Sequence, residues 1–290
     1  MEFIHVTSNN AQQTLLQTKP CVVALGFFDG VHIGHQQVLK EAKKVAEEQE
    51  LPLVIMSFFP HPKEVLSKGK KIVPYLMPIE DKRRFFKELG ADCFYLIEFN
   101  QKFARLSPRD FVQTYLLDIG AKQVVAGFDF TYGYLGKGNM DTLYRDSNGK
   151  IRGIKIEKIA REGEKISSTL IRNLVMSGEV ERVPSYLGKD YQMEGSAFFR
   201  KNHVELVLHS YYLLPAPGLY EVTIKQNPHQ EPTILIAFVH DEMLTLYSPN
   251  GQEFPFLEWD TVRLGWKKRL PSGFIQVVDS SQGLLHPSFV

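Results

Sequence analysis

The chain is poor in cysteine, with two in 290 residues, and has almost no charge imbalance, with 34 Lys and Arg against 33 Asp and Glu. Two cysteines, Cys21 and Cys93, provide neither a disulfide framework nor a zinc site. Both lie in apolar runs and read as buried free thiols. A net charge of +1 gives no bulk field that would select nucleic acid or an anionic membrane as the main partner, and neither is expected. No apolar stretch approaches the roughly 20 residues that span a bilayer. The opening MEFIHVTSNN has no basic segment followed by an apolar one, so it does not read as a signal peptide, and a cytoplasmic protein is expected. Internal repeats and low-complexity tracts are also missing. What remains is a globular composition, 43% hydrophobic and 23% charged, in a length that suits two domains better than one.

Short apolar runs alternate with helical patterns through the first part of the chain. Residues 21–25 (CVVAL), 53–58, 93–97, 123–126 and 154–159 read as strands. Residues 34–50, 78–89, 108–117 and 167–177 read as helices, the last ending at Gly178. Apolar strands separated by helices of this length imply a parallel sheet with helices on both faces, whose strands offer ligand sites at their carboxyl ends. Near residues 184–189 the pattern changes. Six short strand-like runs follow, at 204–208, 219–224, 233–239, 243–248, 261–266 and 274–279, and their spacing suggests a small antiparallel barrel.

After CVVAL comes GFFDGVHIGH, a strand, a glycine-bearing turn and a helix start. That arrangement aims backbone N–H groups and the positive end of a helix dipole at a phosphate. Gly26, Gly30 and Gly34 allow tight turning and close backbone approach. His32 and His35, three apart, can face one ligand from the helix start and stabilise charge as a pentavalent phosphorus forms. A metal site is the competing reading, but no further His or Cys cluster nearby completes one; incidental surface histidines are the other. Far along the chain, ISSTLIR sets three hydroxyl residues, Ser167, Ser168 and Thr169, at a helix start with Arg172 one turn in. By itself this is an N-cap; beside a histidine pair it reads as the second side of a phosphate clamp.

GFFDGVHIGH together with ISSTLIR resembles the bacterial FAD synthetase branch of the nucleotidyltransferase superfamily, usually bifunctional with riboflavin kinase as its second domain. Three further segments match in order: FFPHP at 58–62, FNQKFARLS at 99–107 and VVAGFDF at 124–130. The resemblance implies an α/β fold: a Rossmann-like nucleotidyltransferase domain with a parallel sheet over residues 1–186, then a small antiparallel β-barrel domain over 187–290. It implies transfer of AMP from ATP to FMN, with Mg2+, giving FAD and pyrophosphate. His32, His35 and Arg172 would be the catalytic residues. Gly26, Phe27, Phe28, Asp29 and Gly34 would cradle the adenylate, and Ser167, Ser168, Thr169 and Arg172 would hold the phosphates. Pro60, His61, Pro62, Phe128, Asp129 and Phe130 would form the FMN side, with Asp129 contacting the metal. Read without the family, PHP is a strand-ending turn, Phe128 and Phe130 are core residues and Asp129 is a turn former. The position after Gly26, commonly asparagine in the family, is Phe27 here.

The barrel also resembles the family's kinase, through LPAPGLY at 214–220 and Gly195 at the start of its first strand. The glycine-rich stretch and the Pro-Thr-Ala-Asn motif that should follow Gly195 are absent, replaced by SAFFRKNHVE. The kinase's carboxylate has only Glu242 as a counterpart, and the chain ends at Val290 where the family has further helix. Loss of riboflavin kinase activity is therefore expected. The alternatives are a complete bifunctional enzyme, or a non-catalytic flavin- or RNA-binding regulator. Phe198, Phe199, Arg200, Lys201 and His203, with Trp266, Lys267, Lys268 and Arg269, read as a solvated rim or as a ligand surface.

Overall fold

In the computed structural model, residues 1–15, 19–161, 163–200, 203–208, 212–225, 231–240, 243–249 and 253–271 are described. They belong to two compact units, Met1–Val73 with Ile79–Ile166, and Pro74–Pro78 with the chain from Ser167 onward. The chain crosses from one unit to the other after Val73, Pro78 and Ile166.

The first unit is built on strands β1 (Glu2–Val6), β2 (Cys21–Leu25), β3 (Leu53–Phe59), β4 (Cys93–Glu98), β5 (Ala121–Gly127) and β6 (Arg152–Ile156). All pair in parallel, in the order β1-β4-β3-β2-β5-β6. The five residues of β2 are all buried, as expected for a strand covered on both faces. The helices of this unit are α1 (Ala11–Leu15), α2 (Ile33–Glu48), α3 (Pro62–Leu66), α4 (Ile79–Leu89), α5 (Pro108–Val112) and α6 (Leu143–Asp146). Helix α2 buries Val38, Leu39, Ala42, Val45 and Ala46, the three-and-four spacing of one helical face. The helix expected over 108–117 changes character halfway: residues Gln113–Leu117 form a wider π turn, closed by Asp118 N donating to the Gln113 carbonyl. Among the described residues, no helix is long and apolar enough to cross a membrane.

The strand order reverses once. From β2 the chain steps to β3 and β4 on one side, then returns to the other side of β2 for β5. Such a switch point leaves a crevice outside the carboxyl ends of the two strands. Leu25 is paired with Ala126, so the turn that begins at Gly26 and the segment that begins at Gly127 leave the sheet side by side.

The second unit contains helices α7 (Ser168–Ser177) and α8 (Pro184–Leu187) and strands β7 (Gln192–Phe199), β8 (Val204–Leu208), β9 (Gly218–Lys225), β10 (Thr233–His240), β11 (Met243–Tyr247) and β12 (Thr261–Arg269). These strands close an antiparallel barrel in the order β7-β8-β11-β10-β9-β12. The sixth strand is β7, which the apolar pattern did not mark; the run at 274–279 lies outside the described residues. The inward positions of β7 include Gly195 and Ala197, too small to register as an apolar stripe. A Cβ at Gly195 would stand 2.7 Å from the Val207 carbonyl oxygen, so this strand crosses β8 too closely for a side chain. Edge strand β1 was missed for the opposite reason: it is half-exposed and has no apolar run.

Candidate active site

The turn after β2 is strained and firmly held. Phe28 (φ 50°) and Val31 (φ 44°) take left-handed backbone conformations, which for a β-branched valine is a marked departure from ordinary geometry. Such conformations persist only where the surroundings enforce them. Here the Phe27 carbonyl accepts from the Ser57 hydroxyl (2.9 Å) and from the Lys82 ammonium (3.0 Å), both donors being buried. Phe28 is buried, edge-on to Phe86 and to His35. Neither Ser57 nor Lys82 was marked by the sequence. The one available signal was that Lys82 shares a helical face with Phe86, four residues on, and both are buried.

His32 is the N-cap of α2: its Nδ1 accepts from the His35 backbone N–H at 3.2 Å. An accepting Nδ1 leaves the ring proton on Nε2, so neutral His32 presents an N–H donor on its other edge. Burial pushes its pKa down from 6.5 to about 4, with the carboxylates of Asp129 and Asp29 acting in the opposite direction. The imidazole is therefore uncharged at neutral pH. The His35 ring stacks on it, 3.6 Å between centroids and 14° from parallel. Gly34 leaves room for the pair: a Cβ there would come within 3.2 Å of the His32 ring.

Three further segments meet at these strand ends. The Phe27 ring packs 5.2 Å from Phe58 and 5.3 Å from His61, and Phe58 stacks on Phe130. The aromatic residue at position 27 thus continues an aromatic layer. His61 caps α3, its Nδ1 accepting from Lys63 N at 3.1 Å, with Pro62 at the first helical position and Pro60 just before the cap. Phe128 and Phe130 are half-buried and Asp129 is exposed. Asp129 pairs with Lys165 at 2.5 Å, and the same ammonium stands 4.7 Å from the Phe128 ring centre. Lys165 was not anticipated, although it lies two residues before Ser167.

Among the described residues, no group of three His, Cys, Asp or Glu gathers into a metal cage. An exposed single carboxylate such as Asp129 does fit Mg2+, which is commonly held by one or two carboxylates, waters and the phosphates of its nucleotide.

In the second unit, Ser167 is the N-cap of α7 and its hydroxyl accepts from Leu170 N at 3.2 Å. Ser168 and Thr169 occupy the first turn, and Gly178 ends the helix in a left-handed conformation. Arg172 is buried, with its Nε donating to the Pro74 carbonyl at 2.9 Å.

A parallel sheet with a switch-point crevice, and a strained glycine-bearing turn feeding a histidine-capped helix, define a nucleotide-handling α/β protein. The pattern that describes the FAD synthetase family matches residues 15–170. A bifunctional riboflavin kinase/FMN adenylyltransferase of Bacillus subtilis is 38% identical over 78% of this chain and 74% of its own length. An FAD synthetase of Listeria monocytogenes is 29% identical over 76% of this chain and 87% of its own. A solved Streptococcus pneumoniae structure, described as a macrolide-efflux protein, is similar with a TM-score of 0.80 and 28% identity, covering 93% of this chain and all of that one. The chain belongs to the FAD synthetase family.

Proposed function

We propose that this protein transfers AMP from ATP to the phosphate of FMN, giving FAD and pyrophosphate, and that it has no riboflavin kinase activity. The observation that carries the first part is the stacked His32–His35 pair at a helix start in the switch-point crevice. An FMN phosphate oxygen attacks the α-phosphorus of ATP, and the bond to the bridging oxygen of pyrophosphate breaks. The neutral His32 donates from Nε2 to a phosphate oxygen as negative charge builds, and the α2 dipole acts in the same direction. His35, stacked on His32, shares that work. The strained turn from Gly26 through Asp29, with Gly34, cradles the adenylate. Ser167, Ser168, Thr169 and Arg172 hold the phosphates. The aromatic layer at the ends of β3 and β5, with Pro60–Pro62, takes the flavin. Asp129 would hold Mg2+ after releasing Lys165. When bound, that ion offsets phosphate charge and orients the leaving pyrophosphate. The adenylyl-transferring region is taken to run through residue 186, and the enzyme is proposed to work in the cytoplasm.

The second part rests on the connection between β7 and β8, only residues 200–203 long and closed by Arg200 N donating to the His203 carbonyl at 2.9 Å. Kinases of the resembling family carry their nucleotide stretch in that place. Lys201 and Glu242, the counterpart of the kinase's carboxylate, lie outside the described residues. The relative from Listeria monocytogenes is described as an FAD synthetase alone. The Bacillus subtilis relative is described as bifunctional, and this favours the second reading, in which the barrel phosphorylates riboflavin by another route.

One assay separates the readings. FMN with ATP and Mg2+ is expected to yield FAD, and riboflavin with ATP and Mg2+ no FMN. FMN from riboflavin establishes the bifunctional reading; no FAD from FMN removes the adenylyl-transfer reading.

A further inference from the structure

Helix α7 carries the hydroxyl run and Arg172, yet it belongs to the same compact unit as the barrel. It is fastened within that unit at two places, mid-helix and at its C-terminal end. The first fastening runs through Arg172, whose Nε donates to the Pro74 carbonyl at 2.9 Å. Pro74 begins the short strap Pro74–Pro78, which sits with the second unit although its flanking residues belong to the first. The neighbouring Tyr75 forms a parallel bridge with Tyr212, and its carbonyl accepts from Leu213 N at 3.0 Å. These two residues are tied in turn to the start of the barrel. The Tyr212 hydroxyl accepts from Glu194 N on β7 at 3.1 Å, and the buried Tyr191 hydroxyl donates to the Leu213 carbonyl at 2.9 Å.

The second fastening is at the C-terminal end. Arg269, the last residue of β12, donates to the carbonyl of Ser177, the last residue of α7, at 3.3 Å and to the Pro217 carbonyl at 2.9 Å. A guanidinium there also complements the negative end of the helix dipole. Gly178 follows so closely that a Cβ on it would stand 2.6 Å from the Tyr220 hydroxyl and 3.0 Å from Arg269 Nη1. Only glycine admits both this contact and the left-handed φ of 83°.

We propose that the barrel is the mount of α7, with Tyr212 and Arg269 as positioning residues for adenylyl transfer. The inference rests on the reading above, and it gives the barrel work that needs no kinase loop. Tyr212 acts on Arg172 through the strap, and Arg269 acts on the helix through its C-terminus. Small misplacements of groups that hold reacting phosphates cost rate steeply, on the order of a hundredfold per ångström. Since the residues assigned to FMN lie in the first unit, a loosened α7 should weaken the handling of ATP and spare that of FMN.

The test uses the full chain with Tyr212→Phe, Arg269→Met and Arg269→Lys. FAD formation is followed with ATP and FMN varied separately, and amide hydrogen exchange is measured across residues 168–177. Tyr212→Phe keeps the ring and removes only the hydroxyl contact, so it remains informative if Arg269→Met unfolds. The expected result for Tyr212→Phe and Arg269→Met is a fall of about tenfold in kcat/KM for ATP, a KM for FMN unchanged within about twofold, and faster exchange across α7 with β2–β5 unaltered. Arg269→Lys should recover most of the loss, because it keeps the cation at the helix end. Unchanged exchange across α7 overturns the proposal. So does faster exchange with ATP kinetics unaltered, or a loss shared equally by ATP and FMN. Wild-type protein that makes no FAD removes the adenylyl-transfer reading alone, and the exchange measurement then decides whether α7 is mounted on the barrel.

Discussion

The two units rest on different physical demands. In the first, polar groups are aimed with little slack: His32 caps a helix and carries a second histidine stacked on its ring, and the strained turn before it is held by two buried donors. Among the described residues the barrel interior is apolar, with Trp266, Tyr220, Val222 and Leu264 fully buried, and its first two strands are joined through residues 200–203. A packed interior tolerates change at its surface because its stability comes from area removed from water. A transition-state site tolerates little, because its work depends on where a few donors point.

Breaking the first unit's side of that contrast should give the largest effect. His35→Ala is expected to lower kcat for FAD formation by about 10²–10³ with FMN affinity nearly unchanged, since one oriented donor is removed from the charged transition state. Steady-state rates with a flavin fluorescence titration check this; a parallel loss of affinity would reduce the pair to a binding element.

The barrel's side is tested by Trp266→Ala. Truncating a fully buried tryptophan should destabilise the barrel by about 3–5 kcal/mol, measured by chemical denaturation. Among the described residues the indole N–H has no hydrogen-bond partner, so the loss is read as one of packing. A change below about 1 kcal/mol would mean that the barrel interior is not close-packed.

A third measurement concerns pH. Folded His32 takes up its proton only near pH 4, whereas an unfolded histidine does so near 6.5. Between these values the unfolded chain binds more protons, so the folded state loses stability as pH falls from 6.5 towards 4 and holds the full contribution above 6.5. The shift corresponds to about 3 kcal/mol at most. His32→Asn should flatten that part of the profile, and an unchanged slope would assign it to other groups.

The smallest effect is expected from Gly34→Ala, because the new methyl needs only a few tenths of an ångström from the His32 ring. About a tenfold fall in kcat with an unchanged melting temperature would sharpen the view that the turn sets ring position and adds little stability. A lower melting temperature with normal kcat would reverse it.

Much of this protein was legible in its sequence because the signals are local. Apolar runs such as CVVAL and its neighbours in the sheet marked the buried strands, glycines and hydroxyl residues marked helix ends, and ordered motifs named the family that the comparisons bear out. Other features depend on distant partners. Strand β1 exists through pairing with β4, some ninety residues on, and β7 through a glycine crossing close to β8. Lys82 and Ser57 support the Phe27 carbonyl from other elements, Lys165 pairs with Asp129, and Arg172 donates to Pro74. The depressed pKa of His32 is likewise a consequence of burial. By itself the sequence determined which chemistry was available and on which elements, because periodicity and capping act within a few residues. Only the tertiary structure decided which side chains lose water and which carbonyls receive their donors, because burial and hydrogen-bond geometry arise where distant segments meet.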